Sequence, residues 1–410
     1  MNFFASILTY LVRPIFFSFI FLILSNNVHA QGDTLKKVQT TKWFENISIR
    51  GYSQIRYNRL LETNENLGCE SCDRSWGKNG GFFIRRMRII FFGQINPRVY
   101  FYIQPDLASS PSNDRLHFAQ LRDAYFDVGL DKKNEFRVRF GQSKIPFGFE
   151  NMQSSQNRLP LDRADALNSA VSNERDLGVM FYWAPAEKRK LFSELVSSGL
   201  KGSGDYGVLG IGVYNGQTAN NPELNNRQHT VARFTYPFKI NKQIVEAGIQ
   251  GYKGQFVLTR SNISTGAKFK NDLNYLDERI AGTLVVYPMP IGLVAEYNVG
   301  RGPEFNKITD SIEVQRLKGG YIQAMYNVKV NNHTLLPFIR YQYYDGGKKH
   351  ERDARSHQVN DLEIGVEWQP VKQFELVAMY TISKRRYEDF ILQNNLQQGS
   401  LLRLQAQLNF

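Results

Sequence analysis

At the C-terminus, Leu402, Leu404, Ala406, Leu408 and Phe410 alternate with Arg403, Gln405, Gln407 and Asn409. A strict period of two is the geometry of a β-strand, whose successive side chains point to opposite faces. A slip of one residue would turn every apolar group to the wrong side. The segment therefore needs an apolar environment on one face and a polar one on the other. Two architectures supply that: an antiparallel sandwich in water, or the wall of a barrel with lipid outside and water inside.

The N-terminus separates the two. Pro14 to Leu24 is an apolar run, followed by Ser25-Asn26-Asn27 and Val28-His29-Ala30. A small residue at Ala30 with Val28 two before it fits a signal-peptidase site, and the preceding region carries one charge, Arg13. The expected organisation is a signal peptide over 1–30, an N-terminal lead-in over 31–45 and a β-barrel over 46–410. The apolar run is shorter than the roughly 20 residues a spanning helix needs, and no later stretch reaches about 18. The terminal strand, closing on the aromatic Phe410, resembles the assembly signal of bacterial outer-membrane barrels. The expected fold is all-β, a transmembrane antiparallel barrel in the bacterial outer membrane.

Composition agrees. Mean hydropathy is −0.40, as expected where every second wall residue faces water. Aromatic residues make up 13%, with 21 Tyr and 29 Phe, enough to supply interfacial girdles. The formal charge of +13 would suit nucleic acid, but export excludes that partner. It points instead to an anion-attracting pore or a lipopolysaccharide-facing surface. Cys69 and Cys72 cannot by themselves make a four-ligand zinc site; in an oxidising compartment they read as a short loop disulfide. Of the six histidines, none has a Ser or acid partner at catalytic spacing, and His350 with Glu351 and Asp353 reads as a charged loop. Neither an enzyme nor a cofactor nor a metal site is expected.

The alternation recurs in Val99-Phe101-Ile103, Ala124-Phe126-Val128, Phe136-Val138-Phe140, Leu362-Ile364-Val366-Trp368 and Phe374-Leu376-Ala378-Tyr380-Ile382. In all, the pattern predicts about sixteen strands, an even number as bacterial single-chain barrels have. Short turns fall at Asn96-Pro97-Arg98, Asp131-Lys132-Lys133-Asn134, Pro288-Met289-Pro290 and Asn331-Asn332. Longer polar stretches fall near 59–80, 145–175, 216–227, 254–276, 301–318, 346–357 and 384–398. Short periplasmic turns alternating with long external loops are a barrel signature. Leu191 to Gly204 fits neither a strand nor a helix template. The stretch from Lys144 to Arg175 is long, and Pro146 and Gly148 would turn it sharply, so it is expected to fold inward and constrict the lumen.

Candidate pore-lining cations follow from the alternation. Arg137 and Arg139 share the lumen face of one strand, and Arg86 and Arg88 share one face of another, with Arg85 opposite them. Lys144 and the loop residues Arg158, Arg163 and Arg175 would extend the path. Planar guanidinium groups in a narrow passage attract anions. Asp123, Asp127, Glu363, Glu367 and Glu375 also fall on lumen faces, so ion pairing along the wall is the competing role for each arginine.

Several segments resemble the phosphate-selective porin O and P family. These are Phe82-Phe83-Ile84-Arg85-Arg86-Met87-Arg88, Leu121-Arg122-Asp123-Ala124-Tyr125, Gly141-Gln142-Ser143-Lys144-Ile145-Pro146-Phe147-Gly148-Phe149-Glu150, Arg175-Asp176-Leu177-Gly178-Val179 and Pro337-Phe338-Ile339-Arg340-Tyr341. The resemblance implies a sixteen-stranded, usually trimeric outer-membrane channel with inward loops, passing small hydrophilic solutes and, in some members, phosphate. The matching motifs belong to walls and turns, so no ligand-contacting ladder carries over residue by residue. The alternative class is a non-conducting structural or adhesive barrel.

Overall fold

The computed structural model describes residues 42–59, 63–70, 72–73, 76–77, 80–108 and 117–410. Trp43–Phe410 forms one compact unit. The expected signal peptide and most of the lead-in lie outside the described residues. The strands are β1 (Ile47–Asn58), β2 (Gly81–Asn96), β3 (Val99–Asp106), β4 (Gln120–Gly129), β5 (Phe136–Lys144), β6 (Arg175–Trp183), β7 (Leu209–Tyr214), β8 (His229–Ile240) and β9 (Gln243–Val257). They continue as β10 (Asn274–Val286), β11 (Ile291–Asn306), β12 (Ser311–Tyr326), β13 (Val328–Val330), β14 (His333–Gly347), β15 (Ser356–Val371), β16 (Phe374–Glu388) and β17 (Leu396–Asn409).

Neighbours in sequence pair antiparallel, and β1 pairs with β17, closing the sheet. Only Asn327 separates β12 from β13, and both pair with β14, so they form one stave and the barrel has sixteen. Closure leaves no sheet edge, which a bilayer demands because lipid offers no hydrogen bonds. Phe410 completes the seam: its N–H donates to the Gly51 carbonyl at 3.0 Å, and the Gly51 N–H donates to the Phe410 carbonyl at 2.7 Å.

The wall is apolar outside and polar inside. Phe126, Phe136, Ile364, Trp368, Ile382 and Leu408 are exposed on the outer face, while Arg403, Gln405 and Gln407 are buried within. Short turns close one end through their own side chains. Asn96 Oδ1 accepts from the N–H groups of Arg98 (2.8 Å) and Val99 (3.0 Å), and Asp131 accepts from Lys133 and Phe136 (2.9 Å each).

Three features depart from the sequence expectation. The stretch 301–318 is no long loop: β11 and β12 stay paired out to Asn306 and Ser311. Likewise β16 runs to Glu388 and β17 starts at Leu396. Strands that continue past the bilayer into water keep their ladder while becoming polar, so polar composition alone does not end them. Third, the β6–β7 connection breaks the short-turn rule at the periplasmic end. It holds a 12-residue helix, α3 (Ala186–Ser197), which follows the single helical turns α1 (Phe149–Met152) and α2 (Asp165–Asn168). Only Phe192 and Leu195 of α3 are buried; a two-residue apolar stripe is too narrow to mark a helix by periodicity. The helix ends at Gly199, in the left-handed region at φ 72°.

The β5–β6 loop does fold inward. Phe147, Phe149, Leu159, Leu161 and Leu167 are buried in it. The N–H groups of Phe149 and Glu150 donate to the Glu296 carboxylate at 2.6 and 2.9 Å, and Arg279 donates to the Ala166 carbonyl at 3.0 Å. On the opposite side Tyr52 Oη meets Ser155 Oγ at 2.6 Å, and Arg56 donates to the Leu161 carbonyl at 2.7 Å. The loop is thus tied to both walls of the lumen.

Candidate functional site: an eccentric cationic path

One side of the lumen is filled. Arg340 pairs with Glu150 (2.6 Å) and Glu363, Arg385 with Asp165 (2.9 Å) and Asp361, Arg403 with Asp162, and Lys348 with Asp165 (2.5 Å). These pairs fasten the inward loop to β14–β17 with their charges neutralised. Phe147 packs edge-on against Tyr252, with ring centroids 4.9 Å apart, on β9.

Three cavities lie along the β2–β6 wall. The outer one, about 200 Å³, is lined by Arg85, Arg86, Arg88, Arg122, Arg158 and Arg163, against Glu70, Asp106, Asp162 and Glu174. The middle one, about 280 Å³, carries Arg50, Arg139, Lys144 and Arg175 against Asp123 and Asp205, with Tyr100, Tyr102, Tyr125 and Tyr206. The inner one, about 280 Å³, carries Arg98, Arg137, Arg139 and Arg189 against Asp127 and Asp205. Middle and inner cavities share Tyr100, Tyr125, Arg139, Ser193 and Asp205. Glu174 links outer to middle, pairing with Arg163 and, at 2.6 Å, with Arg175. Each cavity has more cations than carboxylates.

All eight cations expected from the sequence lie on this path. Five are ion-paired: Arg88 with Asp106 (2.8 Å), Arg139 with Asp127 (2.7 Å), Arg175 with Asp123 (2.9 Å), Arg137 with Asp205 (2.8 Å) and Arg163 with Glu174. Three meet neutral acceptors. Arg86 donates to Gln54 Oε1 (2.9 Å), Arg158 to the carbonyls of Pro160 (3.0 Å) and Leu161 (3.1 Å), and Lys144 to those of Met152 (2.7 Å) and Gln153 (2.8 Å). The guanidinium of Arg85 has no hydrogen bond or ion pair among the described residues.

Arg85 corrects the strict alternation, which puts it on the outer face. The β1–β2 register shifts between Gln54 and Ile55, which pair with Arg86 and Ile84. The bulge leaves Arg85 unpaired in the ladder and turns it inward beside Arg86. Arg122 enters the lumen for the same reason: Gln104 pairs with Asp123 but Pro105 with Leu121, skipping it. Adjacent polar residues, Arg85-Arg86 and Arg122-Asp123, are the sequence trace of such bulges. Arg50, Arg98 and Arg189 were also missed; Arg189 sits on α3, which no periodicity marked.

The second inward segment bounds the path from the periplasmic end. Asp205, beyond α3, accepts from Arg137 (2.8 Å) and Arg189 (2.8 Å). Burial opposes its ionisation, but those two guanidinium groups hold its pKa below the usual carboxylate value. Lys201 pairs with Glu367 at 2.5 Å, and Gln153 of the β5–β6 loop donates to the Lys201 carbonyl at 2.6 Å, so the two inward segments touch.

The family profile for phosphate-selective porin O and P matches residues 68–410. The chain belongs to that family. No curated protein matches it. Among solved structures it is similar to the outer-membrane channel DcaP of Acinetobacter baumannii, at 16% identity and a TM-score of 0.54, covering 89% of this chain and 97% of that one. It is similar to OmpT of Vibrio cholerae (10% identity, TM-score 0.51, 89% and 97% covered) and to an anion-selective porin from Comamonas acidovorans (9%, 0.50, 89% and 99%). At these identities the likeness is one of fold. This porin is therefore a passive channel of the bacterial outer membrane for small solutes; family and fold indicate a channel rather than an enzyme. Cys69 and Cys72 form a disulfide.

Proposed function

We propose that this porin prefers anions, phosphate among them, and conducts them along the β2–β6 wall past Arg86, Arg88, Arg158 and Arg163, then Lys144 and Arg175, then Arg139 and Arg137. The observation that carries this is the excess of cations in all three consecutive cavities. Arg85, Arg86, Arg158 and Lys144 supply the attraction, because among the described residues none of them is in salt-bridge contact with a carboxylate. The paired arginines form the walls and hand the anion on by exchanging partners. The family name and the anion-selective structural neighbour point the same way.

The same reading takes 1–30 as a cleaved signal peptide, 31–45 as a lead-in and 46–410 as the barrel. The protein would sit among outer-membrane lipid and lipopolysaccharide. A homotrimer is the expected assembly, since OmpT has a trimer form. The test is single-channel recording in chloride with phosphate added to one side. Phosphate should reduce the chloride current in wild type and do so more weakly in Arg158→Gln. A chloride current indifferent to phosphate would leave a general porin, and no current at all would leave a structural or adhesive barrel.

A further inference from the structure

The outer wall carries a feature the channel does not use. Across β8–β12, strand register sets Thr230, Lys253, Glu278, Arg301 and Arg316 side by side in one outward-facing row. The next row toward the periplasm is Ala232, Gly251, Ile280, Val299 and Lys318. Below it lie Phe234, Ile249, Gly282, Tyr297 and Gly320. A charged row therefore sits at the external end of a lipid-facing surface hollowed by small residues. The hollow beneath the charges is about 990 Å³, and a second of about 540 Å³ follows over Ala247, Gly282, Ala295 and Gly320.

The charges do not cancel. Glu278 accepts from Lys253 (3.2 Å) and Arg301 (2.5 Å). Arg316 and Lys318 are exposed and have no hydrogen-bond or ion-pair partner among the described residues. Asp345, which pairs with Lys318 in the ladder, accepts instead from Tyr343 at 3.3 Å. Cations facing the edge of the hydrocarbon are costly unless they meet anionic headgroups, and clustered Lys and Arg beside a membrane surface recognise such groups. A groove of small side chains under them accepts an acyl chain by shape.

We propose that this face binds a phosphorylated glycolipid of the outer leaflet. Its phosphates lie on Arg316, Lys318 and Arg301, and an acyl chain lies in the hollow over Gly251, Gly282 and Gly320. The site is independent of what the pore conducts.

The experiment is native mass spectrometry of the purified porin in mild detergent with lipid A, with dephosphorylated lipid A and with inorganic phosphate. Lipid A should be retained and dephosphorylated lipid A should not, and any inorganic phosphate held in the pore should be indifferent to substitutions on this face. Arg316→Glu with Lys318→Glu should lower retention by about tenfold or more, since each basic residue near a membrane surface contributes about 1 kcal/mol. Gly282→Trp should lower it with every charge intact; a Cβ at Gly282 meets nothing within 4 Å, so the side chain starts in open space. Heat-modifiable migration confirms that both variants are folded. The proposal is overturned by equal retention in either variant, by equal binding of dephosphorylated lipid A, or by retention of inorganic phosphate that Arg316→Glu with Lys318→Glu abolishes. It is overturned equally if Gly282→Trp disrupts the oligomer while leaving lipid A bound, which would make the face a contact between copies.

Discussion

Replacing Arg85 and Arg86 by Gln removes two fixed charges from the outer cavity, where six arginines face four carboxylates. Neither has a carboxylate partner, so the double substitution leaves no acid stranded and takes the cavity from a net excess of two cations to balance. One unit charge at roughly 6 Å from a permeating ion is worth about 0.7 kcal/mol through water. Screening at about 0.1 M salt reduces that to about 0.4 kcal/mol. Two such charges act with opposite sign on anion and cation, a combined change of roughly 1.6 kcal/mol, or about tenfold in the permeability ratio. The assay is the reversal potential in a potassium chloride gradient across a planar bilayer. The control is Asp127→Asn with Arg139→Gln, which deletes a bonded pair and should move the ratio by less than about twofold, because its field is that of a dipole. A change below twofold in Arg85→Gln with Arg86→Gln, or an equal change in the control, would refute the assignment of the attraction to unpaired cations.

Asp205→Asn should raise anion preference by freeing Arg137 and Arg189. Asp205 is held below its usual pKa, so its ion pairs contribute fully above the unfolded value of about 3.9 and are lost as pH falls through the lower folded value. The difference in reversal potential between variant and wild type should therefore persist to about pH 4 and vanish below it; a difference that vanishes by pH 6 contradicts this. Lys201→Met strands the buried Glu367 carboxylate and should destabilise the β6–β7 segment by about 3–5 kcal/mol, seen as proteolytic cleavage near α3 that wild type resists. Cys69→Ser with Cys72→Ser opens a loop with a sequence separation of 3. For so short a loop the stabilisation is about 2 kcal/mol, so the double variant should lose no more than that in heat-modifiability experiments, with conductance unchanged.

The wall was legible because each stave exposes one face to lipid and the other to water. The terminal run from Leu402 to Phe410 alternates without interruption, and its outer and inner faces are those the pattern assigns. Register errors came where the ladder is irregular. A rule of two cannot place Arg85 or Arg122, whose bulges are defined by the partner strand and not by their own sequence. Strand ends were missed at Asn306 and Glu388 because pairing outlasts the bilayer. The candidate cations could be placed in the lumen because lumen faces concentrate charge. Their division into neutralised and unneutralised groups could not be read the same way, since Arg88 finding Asp106 and Arg86 finding only Gln54 depends on contacts between strands. Helix α3 was hidden because the lumen around it, rather than its own amphipathicity, holds it in place.

The central claim is that fixed, unneutralised cations make this porin prefer anions, and the most direct measurement is the wild-type reversal potential under a tilted potassium chloride gradient. The account predicts a potential displaced toward the chloride equilibrium value and a current that added phosphate reduces. A potential displaced toward the potassium value would contradict it.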